Sequence, residues 1–281
     1  MDKYDYKDFE IIDAHSHIFP AKISKKASSA IGDFYDLPMS SAEGSSKQLI
    51  ESGKEIGVSK YLVCSTATVS QQTESINTFI KTECDEHPEF FGFGTLHPDM
   101  DGIEEEVNRI ISLGLHGIKI HPDFQKFDID APKAYKIYEA IEGRLPILIH
   151  MGDDRYEYSR PHKLVNVLND FPKLQVLAAH FGGYQCWEEA EGCLKRSNIK
   201  FDTCSSLPMI SPEYAKKLIN YYGVENMFFG SDFPMWNHKK ELERFFNIGL
   251  SFEDNRKILS ENFKEYFGLK DYLTLDFEIL S

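Results

Sequence analysis

The stretch IIDAHSHIFP, residues 11–20, sets the frame for the whole chain. It begins as an apolar run of strand type and ends in two histidines, His15 and His17, with one small residue between them and Pro20 three positions further on. Side chains alternate between the two faces of a β-strand, so residues two apart point the same way. Both imidazoles therefore share one face at the strand's end, and metal ligation is a common reason for that arrangement. Two histidines are not a site; the remaining donors must come from elsewhere in the chain.

Seven further runs of the same kind follow: KYLVCST (60–66), FFGFGTLH (90–97), HGIKIH (116–121), LPILIH (145–150), LQVLAAH (174–180), IKFDTCS (199–205) and NMFFGSD (226–232), with the first read as FEIIDAH (9–15). Several are apolar on both faces, as parallel strands covered by helices are. Between them lie segments of helical pattern that open on Pro or a polar cap and close on Gly or Pro, among them GIEEEVNRIISLG, APKAYKIYEAIEG, YQCWEEAEGCLKRS (184–197) and SPEYAKKLINYYG, with SFEDNRKILSENFKEYFG (251–268) as a last helix. Eight alternations of strand and helix predict a (β/α)₈ barrel, an α/β fold. A doubly wound open sheet is the alternative, but no Gly-x-Gly-x-x-Gly follows the first strand. No linker, low-complexity tract or repeat divides the chain, so residues 1–281 are read as one barrel domain. The connection from Phe19 to Ser46 is longer than the roughly 2–6 residues usual between a strand and its helix, which marks 19–46 as a candidate lid or binding loop. Phe34, Tyr35 and Leu37 give it something to pack with.

A formal charge of −14 over 281 residues argues against a nucleic-acid partner, whose phosphates it would repel. There is no apolar run of about 18 residues and no secretory leader pattern, so the expectation is a cytoplasmic protein with no membrane partner. Five scattered cysteines, Cys64, Cys84, Cys186, Cys193 and Cys204, fit reduced thiols that pack in core or surface, not a disulfide framework.

Function in a barrel lives at the carboxyl ends of the strands. Those ends carry His15 and His17, then His97, Lys119 with His121, His150, His180 and Asp232, so six of the chain's ten histidines fall at the mouth. A lone histidine ending an apolar run is more often structural than a ligand, and His97 is read that way. For the whole set the structural explanation fails, because one mouth would hold five or six imidazoles and a carboxylate without using them. Three nitrogen ligands and a carboxylate, with a place left for water, suit one catalytic Zn²⁺ or a related divalent ion such as Mn²⁺ or Fe²⁺. Such an ion lowers the pKa of its water from about 15.7 towards roughly 7.

DAHSHIFP, HMGDD after the fifth strand, HFGG after the sixth and GSDFP after the eighth together resemble the amidohydrolase superfamily. Within it they are most similar to the amidohydrolase-related (amidohydrolase 2) branch that includes aminocarboxymuconate-semialdehyde decarboxylase. The resemblance runs from Asp13 to Pro234 with the motifs in the family's order. It implies that His15, His17, His150 and Asp232 bind the metal, that His180 acts as acid or base, that Asp232 also receives the water's proton, and that the protein is a homodimer.

Lys119 and His121 depart from the simplest form of that pattern. Two apart on one strand, both are expected to face the mouth. In other branches of the superfamily a lysine here is carboxylated and bridges two metals, with the strand-five and strand-six histidines on the second ion. The mononuclear habit of the His-x-His-x-x-Pro branch favours an uncarboxylated Lys119 that steers an anionic small-molecule substrate; a buried ion-pair partner is the plainer reading. Arg155 could clamp a carboxylate and Trp236 could wall an apolar moiety, with Phe124 and Gln125 as weaker candidates. Two activities compete. The first is a metal-dependent hydrolase that attacks a small amide, lactone or related carbonyl compound with activated water; the second is a non-oxidative decarboxylase of a small carboxylic acid.

Overall fold

A computed structural model describes residues 5–195 and 198–269 of the chain. The described strands are β1 (Ile11–His17), β2 (Val58–Cys64), β3 (Phe90–Gly92), β4 (Gly94–Thr95), β5 (Ile118–Ile120), β6 (Ile147–Ile149), β7 (Val176–Ala178), β8 (Ile199–Asp202) and β9 (Met227–Phe228). They pair in parallel as two arcs, β1-β2-β3 and β4 through β9 in order. Phe93 joins the arcs: its N–H donates to Val63 O at 2.9 Å, while the next N–H, on Gly94, donates to Gly117 O at 2.9 Å. The third predicted strand is therefore one strand position broken at Phe93. At the other seam Ala14 N–H donates to Phe229 O and Asp232 N–H to His15 O, both at 2.8 Å. The ring is closed, and the (β/α)₈ expectation holds.

Ile12, Ala14, Leu62, Phe91, Leu148, Leu177 and Phe228 fill the barrel with Phe93, and Phe263 packs with them. The intervening residues, such as Val63, Ile118, Ile120, Ile147 and Val176, belong to the larger core under the helices. That double burial is why these strands read as unbroken apolar runs. β1 adds a local irregularity. Asp13 stands opposite Tyr61 and Ser16 opposite Val63, so three steps on β1 match two on β2. This is a bulge, which shifts the alternation by one residue. Ile12 and Ala14 face the barrel interior, and beyond the bulge His15 and His17 do so as well.

The helices are α1 (Ser24–Tyr35), α2 (Ser46–Lys54), α3 (Thr73–Glu86), α4 (Ile103–Ser112), α5 (Pro122–Gln125), α6 (Pro132–Ile141), α7 (Pro161–Asp170), α8 (Trp187–Cys193), α9 (Pro212–Tyr222), α10 (His238–Asn247), α11 (Phe252–Arg256) and α12 (Asn262–Phe267). Polar residues cap the starts: Ser211, the first residue of the predicted SPEYAKKLINYYG segment, accepts from Tyr214 N–H ahead of Pro212, and Ser45 accepts from Gln48 N–H. The last predicted helix is interrupted, because Lys257–Glu261 forms a π turn between α11 and α12. Only Trp187–Cys193 of the predicted 184–197 helix is helical, and Arg196 and Ser197 lie outside the described residues. Among the described residues no helix is long and apolar enough to cross a membrane.

The 19–46 connection is not a bare loop, since α1 occupies its middle. Beyond α1, Ser40 N–H donates to Met235 O (3.1 Å) and Ser41 N–H to Pro234 O (3.2 Å). At the end of the helix, Phe34 O accepts from Arg155 Nη1 at 2.7 Å. The segment is thereby fastened across the barrel mouth to the loops that follow β6 and β9.

Candidate active site

β1 brings His15 and His17 to the mouth, and the loop after β9 brings Asp232. His15 Nε2 and His17 Nε2 are 3.3 Å apart, and Asp232 Oδ1 lies 3.3 Å from His17 Nε2 and 3.7 Å from His15 Nε2. Donors held about 2.0–2.2 Å from a common ion stand roughly 3.0–3.6 Å from one another. The two 3.3 Å separations have that spacing, and the 3.7 Å one lies just beyond it. The hydrogen-bond pattern points the same way, because His15 Nδ1 donates to Asp202 Oδ2 at 2.9 Å, which leaves the Nε2 lone pair aimed at the convergence point. Lys119 Nζ, fully buried inside the barrel, donates to the same Nε2 at 3.1 Å. A cationic group already sits against these donors.

His180 Nδ1 donates to Cys204 O at 3.1 Å, so its Nε2 accepts from His150 Nδ1, 3.0 Å away. His150 Nε2 is then a buried lone pair without a hydrogen-bond partner, 3.7 Å from Asp123 Oδ2. The two imidazoles form a chain leading away from the His15–His17–Asp232 trio. His150 is stacked on His121 at a centroid distance of 3.8 Å, and His121 Nε2 meets Tyr35 Oη of α1 at 2.9 Å. His121, Asp123 and His150 make a second buried group with metal-compatible spacing.

Burial dominates the electrostatics. It pushes the His15 pKa down to about 4, helped by Lys119 and opposed by Asp202, and it lowers His180. Burial, with Lys119 and the neighbouring histidines, takes His121 and His150 well below the ordinary imidazole value. Four imidazoles are thus kept neutral, the form that ligates metals. Burial also opposes charge on His17, yet contact with Cys64 and Asp232 raises it to about 9. Asp232 is held well below the carboxylate range, since His15, His17 and His180 outweigh its burial. Asp123 goes the other way, pushed up to about 7 by burial and by Asp153. His180, Ser205 and Asp232 all have φ between 50° and 61°. Left-handed backbone at non-glycine residues is costly and clusters at functional sites.

A cavity of about 500 Å³ opens from these groups. His15, His17, Lys119, His121, His150, His180 and Asp232 form its polar end, with Phe124 beside them; the remaining walls come chiefly from α1 and α3. Arg155 and Trp236 do not line it. Arg155 is clamped on Asp153 through Nε (2.9 Å) and Nη2 (2.7 Å), and Trp236 Nε1 donates to Ser205 Oγ (2.9 Å) with its ring against Arg244. Gln125 is buried on backbone carbonyls, and His97 Nδ1 accepts from Asp99 N–H as a structural histidine does. Sequence reasoning passed over Asp202 and Asp123. A carboxylate inside the apolar run IKFDTC was the available signal for Asp202, because a buried charge needs a partner.

The sequence profile of the Amidohydrolase family, type 2, matches residues 12–269. The chain belongs to this family. No curated protein sequence matches it. Similar solved structures of this amidohydrolase include 5-carboxyvanillate decarboxylase LigW from Sphingomonas paucimobilis, with 16% identity, TM-score 0.72, and coverage of 93% of this chain and 100% of that one. A dihydroxybenzoic acid decarboxylase from Polaromonas sp. JS666, with manganese and the inhibitor 2-nitroresorcinol bound, gives 14%, 0.72, 96% and 100%. A probable 2-pyrone-4,6-dicarboxylic acid hydrolase from Acinetobacter baumannii, with citric acid bound, gives 16%, 0.68, 93% and 100%. At these identities the likeness shows the fold. The donors at the mouth of the amidohydrolase barrel suit a divalent cation.

Proposed function

We propose that this amidohydrolase is a metal-dependent, non-oxidative decarboxylase of a small carboxylic acid, acting through a single divalent ion, Mn²⁺ or Zn²⁺. The hydrolase expected from the sequence becomes the second reading. The observation that carries the proposal is the setting of the donor trio: His15, His17 and Asp232 converge beside the Lys119 ammonium at the closed end of a cavity whose other walls are mainly apolar. Such a place binds a carboxylate at the cationic end and favours its conversion to neutral CO₂, because the apolar walls solvate the ionised acid poorly. Decarboxylases recur among the similar structures, which supports the same choice.

His15, His17 and Asp232 would hold the ion, with His150 completing the set by turning a ring nitrogen towards it. The ion supplies positive charge that orients the carboxylate and a neighbouring oxygen. Lys119 steers the anion, and His121 with Tyr35 walls the opposite side. The carbon–carbon bond breaks with its electron pair left on carbon, CO₂ departs, and that carbon takes a proton from solvent, relayed by His180 through the Nε2 that His150 frees on turning to the ion. Asp232 keeps the trio's charge balanced and oriented.

Specific support for the hydrolase is the like construction of the 2-pyrone-4,6-dicarboxylic acid hydrolase fold and the acceptor capacity of Asp232. One assay separates the two. Mn²⁺-loaded protein is incubated with panels of aryl and alkenyl carboxylic acids, lactones and amides in D₂O enriched in H₂¹⁸O. Release of CO₂ with one deuterium gained at carbon and no ¹⁸O in the remaining product is expected. Incorporation of ¹⁸O without CO₂ would replace the decarboxylase by the hydrolase.

A further inference from the structure

The cavity is much longer than its polar end needs. Its α1 wall is made by Ile23, Ala27, Ala30, Ile31, Phe34 and Tyr35, which recur at helical spacing on one face. From Tyr35, bonded to His121, back to the half-exposed Ile23, that face extends about 18 Å at 1.5 Å per residue. Across from it stand Ile76 and Phe79 of α3. Most polar residues along this part are already paired, as Thr68 Oγ1 donates to Gln72 Oε1 at 3.1 Å and Ser75 Oγ to Gln72 O at 2.9 Å, while the Thr66 hydroxyl is left without a partner. Among the described residues no guanidinium reaches the cavity wall, and Arg155 is spent on Asp153 and Phe34 O. Among the described residues a second carboxylate would meet no cation there, and a polyhydroxylated group would find few free partners.

We infer that the α1–α3 gallery holds an extended apolar tail, so that the substrate is an amphiphilic monocarboxylate with an alkyl or aryl-alkyl chain behind its reacting head, not a compact polar acid. This rests on the proposed metal-dependent reaction for the position of the head. A cavity of about 500 Å³ is in the range of drug-sized ligands. Each methylene buried against such walls strengthens binding about three- to fourfold. Small Ala27 and Ala30 in the middle of the α1 face leave the width a chain needs, whereas bulkier residues there would close the gallery.

The test uses n-alkyl hydroxamates, which chelate divalent ions through their head group, from acetohydroxamate to decanohydroxamate below their micellar concentrations. Titration calorimetry is run on Mn²⁺-loaded and EDTA-stripped protein. Binding that needs Mn²⁺ and tightens at least a hundredfold from the two-carbon to the eight-carbon ligand is expected. Metal-dependent binding with no gain in length overturns the tail and leaves the metal reading standing. A gain in length that is indifferent to Mn²⁺ supports the gallery and overturns the metal reading, and failure of every ligand overturns both. In Ala27→Trp, decanohydroxamate should weaken at least tenfold; undiminished affinity in that variant, with its fold verified by circular dichroism, would place the tail elsewhere and overturn the assignment.

Discussion

His15 shows how one side chain is committed to a task by its neighbours. Asp202 fixes its tautomer, burial keeps it neutral, and the remaining lone pair meets His17 and Asp232. Removing the orienting carboxylate should therefore loosen the ion without emptying the donor set. Asp202→Asn is expected to weaken Mn²⁺ binding about 10–100-fold by calorimetry; an unchanged affinity would show that His15 is held by packing alone. Asp232→Asn is expected to keep the far-ultraviolet circular dichroism of the parent and lose nearly all turnover, and retained turnover would remove Asp232 from the mechanism. At this scale the sequence was legible where spacing and strand register speak, as for His15, His17 and Lys119. It was illegible where a partner comes from far along the chain: Asp202 is 187 residues from His15, and Tyr35 is 86 from His121.

Among the elements, α10 carries a charge that its setting resists. Glu241 is buried, and its Oε2 has no hydrogen-bond partner although Arg244 bonds the other oxygen. Burial, with Asp232 and Asp13 adding to it, pushes its carboxyl from 4.5 up to about 7 against the pull of Arg244. The folded state thus binds more protons than the unfolded one between those values, so stability falls as pH rises across that window. Glu241→Gln should remove that decline, making the variant more stable than the parent at pH 8 by roughly 1–3 kcal/mol and no more stable at pH 4.5. Urea denaturation at the two pH values checks this, and parallel curves for both proteins would contradict it. α1 is the element that the sequence predicted least well. Its helical register was hidden in a segment rich in Ser, Lys and Gly, where only a single apolar face is needed because the helix spans a cavity instead of packing on a core. Arg155→Ala should free its carboxyl-terminal turn and raise amide hydrogen exchange over residues 24–35, with the barrel strands unaffected.

The whole molecule couples the site to its own persistence. A ligand that binds only the folded state adds about 2.7 kcal/mol at a hundred times its Kd, and at roughly 2–4 °C per kcal/mol for a chain near this size that is a shift of about 5–10 °C in Tm. Thermal unfolding with saturating Mn²⁺ against EDTA should show it; equal Tm values would mean that the trio holds no ion. The closed barrel itself was legible from eight apolar runs, whereas the break at Phe93 and the π turn at Lys257–Glu261 were not, since both are adjustments of direction that leave the hydrophobic pattern intact. The bulge in β1 belongs with them and has the largest consequence. Counted from Ile12, simple alternation would send His15 and His17 outward to the helices, on the same face as Asp13. One additional residue between Asp13 and Ser16 reverses the count. A strand that ran through the same residues without the bulge would keep every donor, every helix and nearly all of its core, and would have no site: the chemistry of this barrel is stored in whether a number is odd or even.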